Sequence, residues 1–186
     1  MEEGLSDRIE VRLQDYRHVE GIFDKFVSIG MIEHVGKEQY HSLARSIDGW
    51  LTPTGLGLIH TIGSSENPSV PTEPWTEKYI FPGYRLARLS ELTDALDASG
   101  FIVAHVENLK PHYAQTLRHW KTNFDENREK VLALGQPYDH RFLRMWNYYL
   151  QGAEAGFRYG KLQLYQILFC KGDRWKFPLR LDFHGH

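Results

Sequence analysis

A single cysteine, Cys170, occurs in 186 residues. No intrachain disulfide can form, and a thiolate cage for zinc is excluded. No stretch approaches the roughly 18 consecutive apolar residues of a membrane-spanning helix. An excess of one charge sign is missing too: 22 Lys and Arg stand against 24 Asp and Glu, and the net charge of −2 argues against nucleic acid as a partner. The opening MEEGLSDR has the wrong chemistry for a secretory signal, so a cytoplasmic location is expected. His112 and His119 lie seven residues apart with no third ligand in view, so no metal site is expected. Cys170 reads as a buried structural thiol.

What is present is the composition of a globular domain. Hydrophobic residues make up 41% of the chain and charged residues 25%, which sets disorder aside. The length fits one domain, which can bury roughly two thirds of its unfolded surface.

Residues 8–14 alternate well enough for a half-buried strand, followed by a turn at Asp15-Tyr16-Arg17. Phe26–Ile29 is a second short apolar run. From 37 to 51, Tyr40, Leu43, Ala44, Ile47 and Leu51 recur at helical spacing, and Pro53 and Gly55 stop the helix. Leu56–Ile62 reads as a buried strand. Strand, helix, strand with short joints is the pattern of a parallel α/β sheet.

Residues 63–88 form a long loop carrying Trp75, Tyr79, Phe81 and Tyr84, expected to be a lid-like insertion pinned by its aromatics. Ser90 is placed to cap a short helix that ends at Gly100. Phe101–Val106 follows as a strand. Tyr113, Leu117, Trp120 and Phe124 mark one amphipathic helix, and Phe142, Met145, Trp146, Tyr149, Leu150, Ala153 and Phe157 another. Leu162–Phe169 is the last strand, and 171–186 a charged tail.

Glu33 and His34 follow the first strand of the strand–helix–strand unit, and His60 lies near the carboxyl end of the second. Open α/β sheets bind ligands in the crevice outside those strand ends. Glu33 and His60 are therefore expected to meet.

Seven ordered segments, RLQDYR (12–17), FDKFVSIGMIEHVG (23–36), LIHTIG (58–63), PWTEKYIFPG (74–83), HYAQTLRHW (112–120), FLRMWNYYL (142–150) and GFR (156–158), resemble the cyclopropane fatty acid synthase family. That family includes the cyclopropane-fatty-acyl-phospholipid and mycolic acid cyclopropane synthases. The resemblance implies the C-terminal part of a doubly wound, Rossmann-like class I methyltransferase sheet with added helices, one partial domain over 1–186. It implies S-adenosylmethionine-dependent methylene transfer to the cis double bond of unsaturated acyl chains, in phospholipids at the inner membrane surface. A bicarbonate ion would act as base, held by Glu33, His60, the Ile62 backbone and Tyr113. Asp15 and Tyr16 would flank the adenine, and Ile29 and Gly30 would line the cofactor.

Two departures qualify this expectation. The family's cysteine in the YYLxxC stretch is Ala153 here. No glycine-rich turn precedes Asp15, so the chain is expected to begin just before the third strand, leaving the Phe26 strand with an open edge. A homodimer or a separate N-terminal half is the expected partner. Two other readings stay open, a non-catalytic lipid- or partner-binding module and a family member that gives methyl-branched products.

Overall fold

The computed structural model describes residues 4–5, 7–66 and 73–172. Four strands, β1 (Phe23–Ile29), β2 (Leu51–Ser64), β3 (Phe101–Asn108) and β4 (Leu162–Lys171), form one sheet in the order β1-β2-β4-β3. β1 and β2 are parallel and joined through α1 (Tyr40–Trp50), as the sequence pattern predicts. β4 inserts antiparallel between β2 and β3. The sheet is therefore mixed, with one reversed strand.

Helices cover both faces, which makes the sheet doubly wound. On one face α1 and α3 (Leu89–Asp97) bring Leu43, Ile47, Leu92 and Leu96 onto Ile59, Ile167 and Phe169. On the other, α4 (Lys110–Glu126) and α6 (His140–Arg158) close Leu117, Leu150 and Phe157 over Leu164. Alternate residues of β4 thus serve two cores, as a strand buried on both sides requires.

Several local expectations change. Residues 8–14 form no strand: their alternation is suitable, but no neighbouring strand pairs with them, and Ile9, Val11 and Leu13 stay exposed. β2 starts at Leu51 and runs through Pro53, because the register shift between its pairings at Leu51 and Leu56 frees that proline from the ladder. Helix α3 is capped two residues earlier than Ser90: the Arg88 N–H donates to the Glu91 carboxylate at 2.9 Å. The lid-like stretch contains a short helix, α2 (Pro74–Tyr79), whose first amides donate to Glu73. A further short helix, α5 (Arg128–Ala133), lies between α4 and α6. Lys171 is anchored to Asp48 at 2.9 Å, and the remainder of the charged tail beyond Gly172 lies outside the described residues. Cys170 is buried, as expected.

β1 stands at one edge of the sheet. Val27 is 59% and Ile29 71% exposed on the face opposite α1, so an apolar strip adjoins an unpaired backbone edge. Such edges promote pairing with a second chain. At increasing concentration the chain is expected to self-associate, and Val27→Lys to suppress this with a stability change within about 0.5 kcal/mol. Light scattering that finds the parent chain and V27K equally monodisperse would refute this role for the edge.

Candidate functional site

The carboxyl ends of β1 and β2 open on a cavity of about 510 Å³. Gly30 and Glu33 enter it from beyond β1, Ile62 from β2, Tyr113 from α4, Tyr149 and Ala153 from α6, and Phe81 and Tyr84 from the segment after α2. At the end of β1 the chain turns through Gly30, whose φ of 66° suits glycine. A 3-10 turn, Ile32–His34, then carries Glu33 back toward β2.

Glu33 is 8% exposed, and its Oε1 accepts from the Ile62 N–H at 2.7 Å. Its second oxygen, Oε2, is buried and has no hydrogen-bond partner among the described residues. A buried carboxylate oxygen without a donor is costly, so the cavity presents a strong acceptor where a ligand's donor would be held. Tyr113 faces the same space. Its phenol is pushed up by burial and by the nearby Glu33 charge. Tyr149 is pushed up to about 12 by burial, with Tyr113 adding to the effect. Both hydroxyls therefore stay protonated at neutral pH and can donate.

Aromatic rings line the cavity in two groups. Phe81 packs edge-on against Tyr149 at 5.8 Å and against His34 at 6.4 Å between ring centres. Tyr113 rests on Phe157 at 4.8 Å. These rings can solvate an alkyl chain and can stabilise positive charge through ring faces.

The expected meeting of Glu33 with His60 takes a different form. His60 lies two residues from Ile62 on the same face of β2, outside the cavity lining, and its Nδ1 is 3.2 Å from Gln166 Nε2 on β4. Glu33 meets the Ile62 backbone instead. Among the expected cofactor residues, Tyr16 and Ile29 line a groove of about 300 Å³ along β1, and Gly30 lines the larger cavity. Asp15 caps a 3-10 turn and is bound on both oxygens by Arg17, which holds its carboxyl well below the usual range. His112 and His119 are exposed, and no cluster able to hold a metal ion occurs among the described residues.

The sequence pattern did not reveal what holds Glu33 in place. The Arg85 N–H donates to the Glu33 carbonyl at 2.8 Å. The Arg85 guanidinium makes two bonds to Glu91, at 2.7 and 2.9 Å, and one to the Tyr40 hydroxyl. Burial opposes ionisation of Glu91, but the Arg85 bonds, the Arg88 amide and Lys37 outweigh it and hold the carboxyl at about 2. The only sequence signal was a pair of opposite charges, Arg85 and Glu91, six residues apart in the stretch RLARLSE.

Because the Glu91 pKa is lowered from 4.5, its contribution is full above about pH 4.5 and disappears as pH falls toward 2. Glu91→Gln should make unfolding free energy less dependent on pH across that window. Urea titrations at several acid pH values that give the two chains parallel stability profiles would contradict the assignment.

The family model described as mycolic acid cyclopropane synthetase matches residues 1–167. The chain belongs to the mycolic acid cyclopropane synthetase family. As a member it is 36% identical over 167 residues to the tuberculostearic acid methyltransferase UfaA1 of Mycobacterium tuberculosis, covering 88% of this chain and 39% of that one. It is 35% identical over 170 residues to the cyclopropane-fatty-acyl-phospholipid synthase of Escherichia coli K12, covering 91% of this chain and 43% of that one. This synthetase-family chain thus spans about two fifths of the length of these curated relatives. Its fold superposes on the mycolic acid cyclopropane synthase CmaA1 in complex with SAH and CTAB. The TM-score is 0.77 at 28% identity, over 86% of this chain and 59% of that one. The cyclopropane synthase MmaA2 of Mycobacterium tuberculosis shares the fold, with a TM-score of 0.79 at 23% identity over 89% of this chain and 63% of that one. The family and its structural neighbours are S-adenosylmethionine-dependent methyltransferases, and the doubly wound expectation holds.

Proposed function

We propose that this chain forms the acyl-chain pocket and the base side of an S-adenosylmethionine-dependent lipid methyltransferase that adds a methylene group across a cis double bond. The observation that carries the reading is Glu33: one oxygen fixed by a backbone amide, the other buried without a donor beside an aromatic cavity. Ring closure requires a proton to leave a cationic intermediate inside an apolar space, so an acceptor must be immobilised there without attacking the cation.

The donor set fits a small hydrogen-bonding anion. Bicarbonate carries one O–H, which matches the unsatisfied Glu33 Oε2, and it accepts from Tyr113, so these two residues would hold it; when bound it supplies the proton acceptor. The Ile62 N–H fixes Glu33 rather than facing the cavity, and His60 braces the β2 end through Gln166. Phe81 and Tyr149 exclude water and present ring faces to developing positive charge.

On the methyl donor's side, at the end of β1, Ile29 would line the smaller groove and Gly30 the larger cavity. The glycine-rich turn and ribose-binding acid that the fold uses elsewhere do not occur among the described residues. The aromatic cavity can also hold an acyl chain without turnover, which gives a second reading, a lipid-binding module.

Purified chain incubated with methyl-labelled S-adenosylmethionine and vesicles of oleoyl phospholipid separates the two. Gain of one labelled methylene by the acyl chain supports the first reading. Lipid binding without label supports the module, and binding of neither lipid nor donor removes both. A branched methyl product in place of a ring would align the chain with relatives such as the sphingolipid C9-methyltransferase 2 of Gibberella zeae, to which it is 30% identical over 85% of its own length and 31% of that one's.

A further inference from the structure

A second, open depression of about 360 Å³ adjoins the mouth of the aromatic cavity. Its lining is Trp75 and Tyr79 of α2 with Arg141, Arg144, Met145 and Tyr148 of α6. Trp75 and Tyr148 also line the large cavity, and their rings meet edge to face at 4.6 Å, forming the partition between the two spaces. A ligand bound in both must pass this pair.

The chemistry of the two spaces differs. The inner cavity is aromatic and apolar around Glu33. The outer one carries two guanidinium groups spaced i and i+3, hence on one face of α6, in the first turns of a nineteen-residue helix. Both arginines are exposed, and neither forms a salt bridge among the described residues. On α2, the Lys78 ammonium lies 5.1 Å from the ring centre of Tyr79, one of the lining residues. Three carboxylates stand in the neighbourhood. Asp139 is bound to the Phe142 N–H and Glu73 to the first amides of α2, while Glu77 is exposed on that helix. Arg141 and Arg144 lie near enough to Asp139 to help lower its pKa but form no contact ion pair with it, and exposed arginines beside amphipathic aromatics favour a phosphate group attached to an apolar chain.

We propose that this depression is a headgroup subsite in which Arg141 and Arg144 bind the phosphate of a phospholipid whose acyl chain passes Trp75 and Tyr148 into the cavity. The proposal rests on the reading of the cavity as an acyl-chain pocket, and it assigns the phosphate end of such a lipid to two named residues of α6.

The test is calorimetric binding to the full chain. The probes are short-chain phosphatidylglycerol below its micelle concentration, decanol as an alkyl chain without an anion, and inorganic phosphate. The double variant Arg141→Gln with Arg144→Gln should bind phosphatidylglycerol about tenfold or more weakly than the parent chain and decanol equally well. The charge-matched control Arg45→Gln with Arg118→Gln, at exposed arginines on α1 and α4, should leave both affinities unchanged. Equal losses in the two double variants would reduce the effect to the general surface field and overturn the proposal. Inorganic phosphate binding as tightly as phosphatidylglycerol would make this a free-anion site and overturn the lipid assignment. Failure of decanol to bind, with phosphatidylglycerol still held through the arginines, would reject the acyl-chain cavity and retain the subsite.

Discussion

Replacing Glu33 by Gln is expected to lower methylene transfer by about 10²–10⁴-fold, the range for removing a group that handles the transferred proton, with little change in the fold. The geometry explains why the two effects separate. The amide oxygen of Gln can accept from the Ile62 N–H as Glu33 Oε1 does at 2.7 Å. The amide NH₂ then takes the place of the buried, unpartnered Oε2. The cavity exchanges an acceptor for a donor while the link to β2 is retained.

Glu33→Ala is a different experiment. It leaves the Ile62 N–H without its acceptor, a loss of about 1–3 kcal/mol when the group is buried. A thermal melt should therefore distinguish the variants, with Ala lowering the midpoint and Gln leaving it close to that of the parent. Turnover of E33Q at parental rate would remove Glu33 from the proton-transfer machinery. A melting midpoint for E33Q as low as that of the alanine variant would show the effect to be structural.

The sequence carried the face assignments of α1, α4 and α6 because their apolar residues repeat at helical spacing. Leu43, Ile47, Leu117, Leu150 and Phe157 are buried where the period puts them, but Trp120, on the same expected face of α4, is 46% exposed. It put Glu33 beyond the carboxyl end of a parallel strand, where such sheets place ligand-handling groups, and in the structure Glu33 lines the large cavity there. It misled at residues 8–14, where alternation describes what a strand needs from its own side chains but not whether a neighbour exists to pair with. It also misled at Pro53, a residue that ends helices and yet is accepted where a ladder shifts register. The partner of His60 was not legible because Gln166 is 106 residues away. It faces His60 only once β4 inserts antiparallel beside β2. The Arg85–Glu91 tie was hidden for a related reason: its purpose is visible only when the Arg85 amide is seen to hold the Glu33 carbonyl.

Phe169→Ala is expected to destabilise the chain by about 3–5 kcal/mol, the range for truncating a large buried aromatic. Phe169 is fully buried on β4, directly opposite Gly57 of β2. Its ring also packs on Phe101 at 4.9 Å and Phe26 at 6.4 Å, so one side chain joins β1, β2, β3 and β4. A Cβ at position 57 would lie 2.1 Å from that ring, so Gly57 is fixed by close approach rather than by its backbone angles. Gly57→Val should accordingly cost about 1–3 kcal/mol or more through overpacking. The double variant decides whether both losses come from this contact. With the ring gone, the valine enters the vacated space, and the combined loss should fall at least about 1 kcal/mol short of the sum of the single losses. Urea unfolding midpoints at unchanged slope provide the measurement, and strict additivity would show that the two residues do not share one packing site. Coupling here bears on the cavity as well, because the Gly57–Phe169 pair lies in the same β2–β4 ladder that sets His60 against Gln166 and presents the Ile62 amide to Glu33.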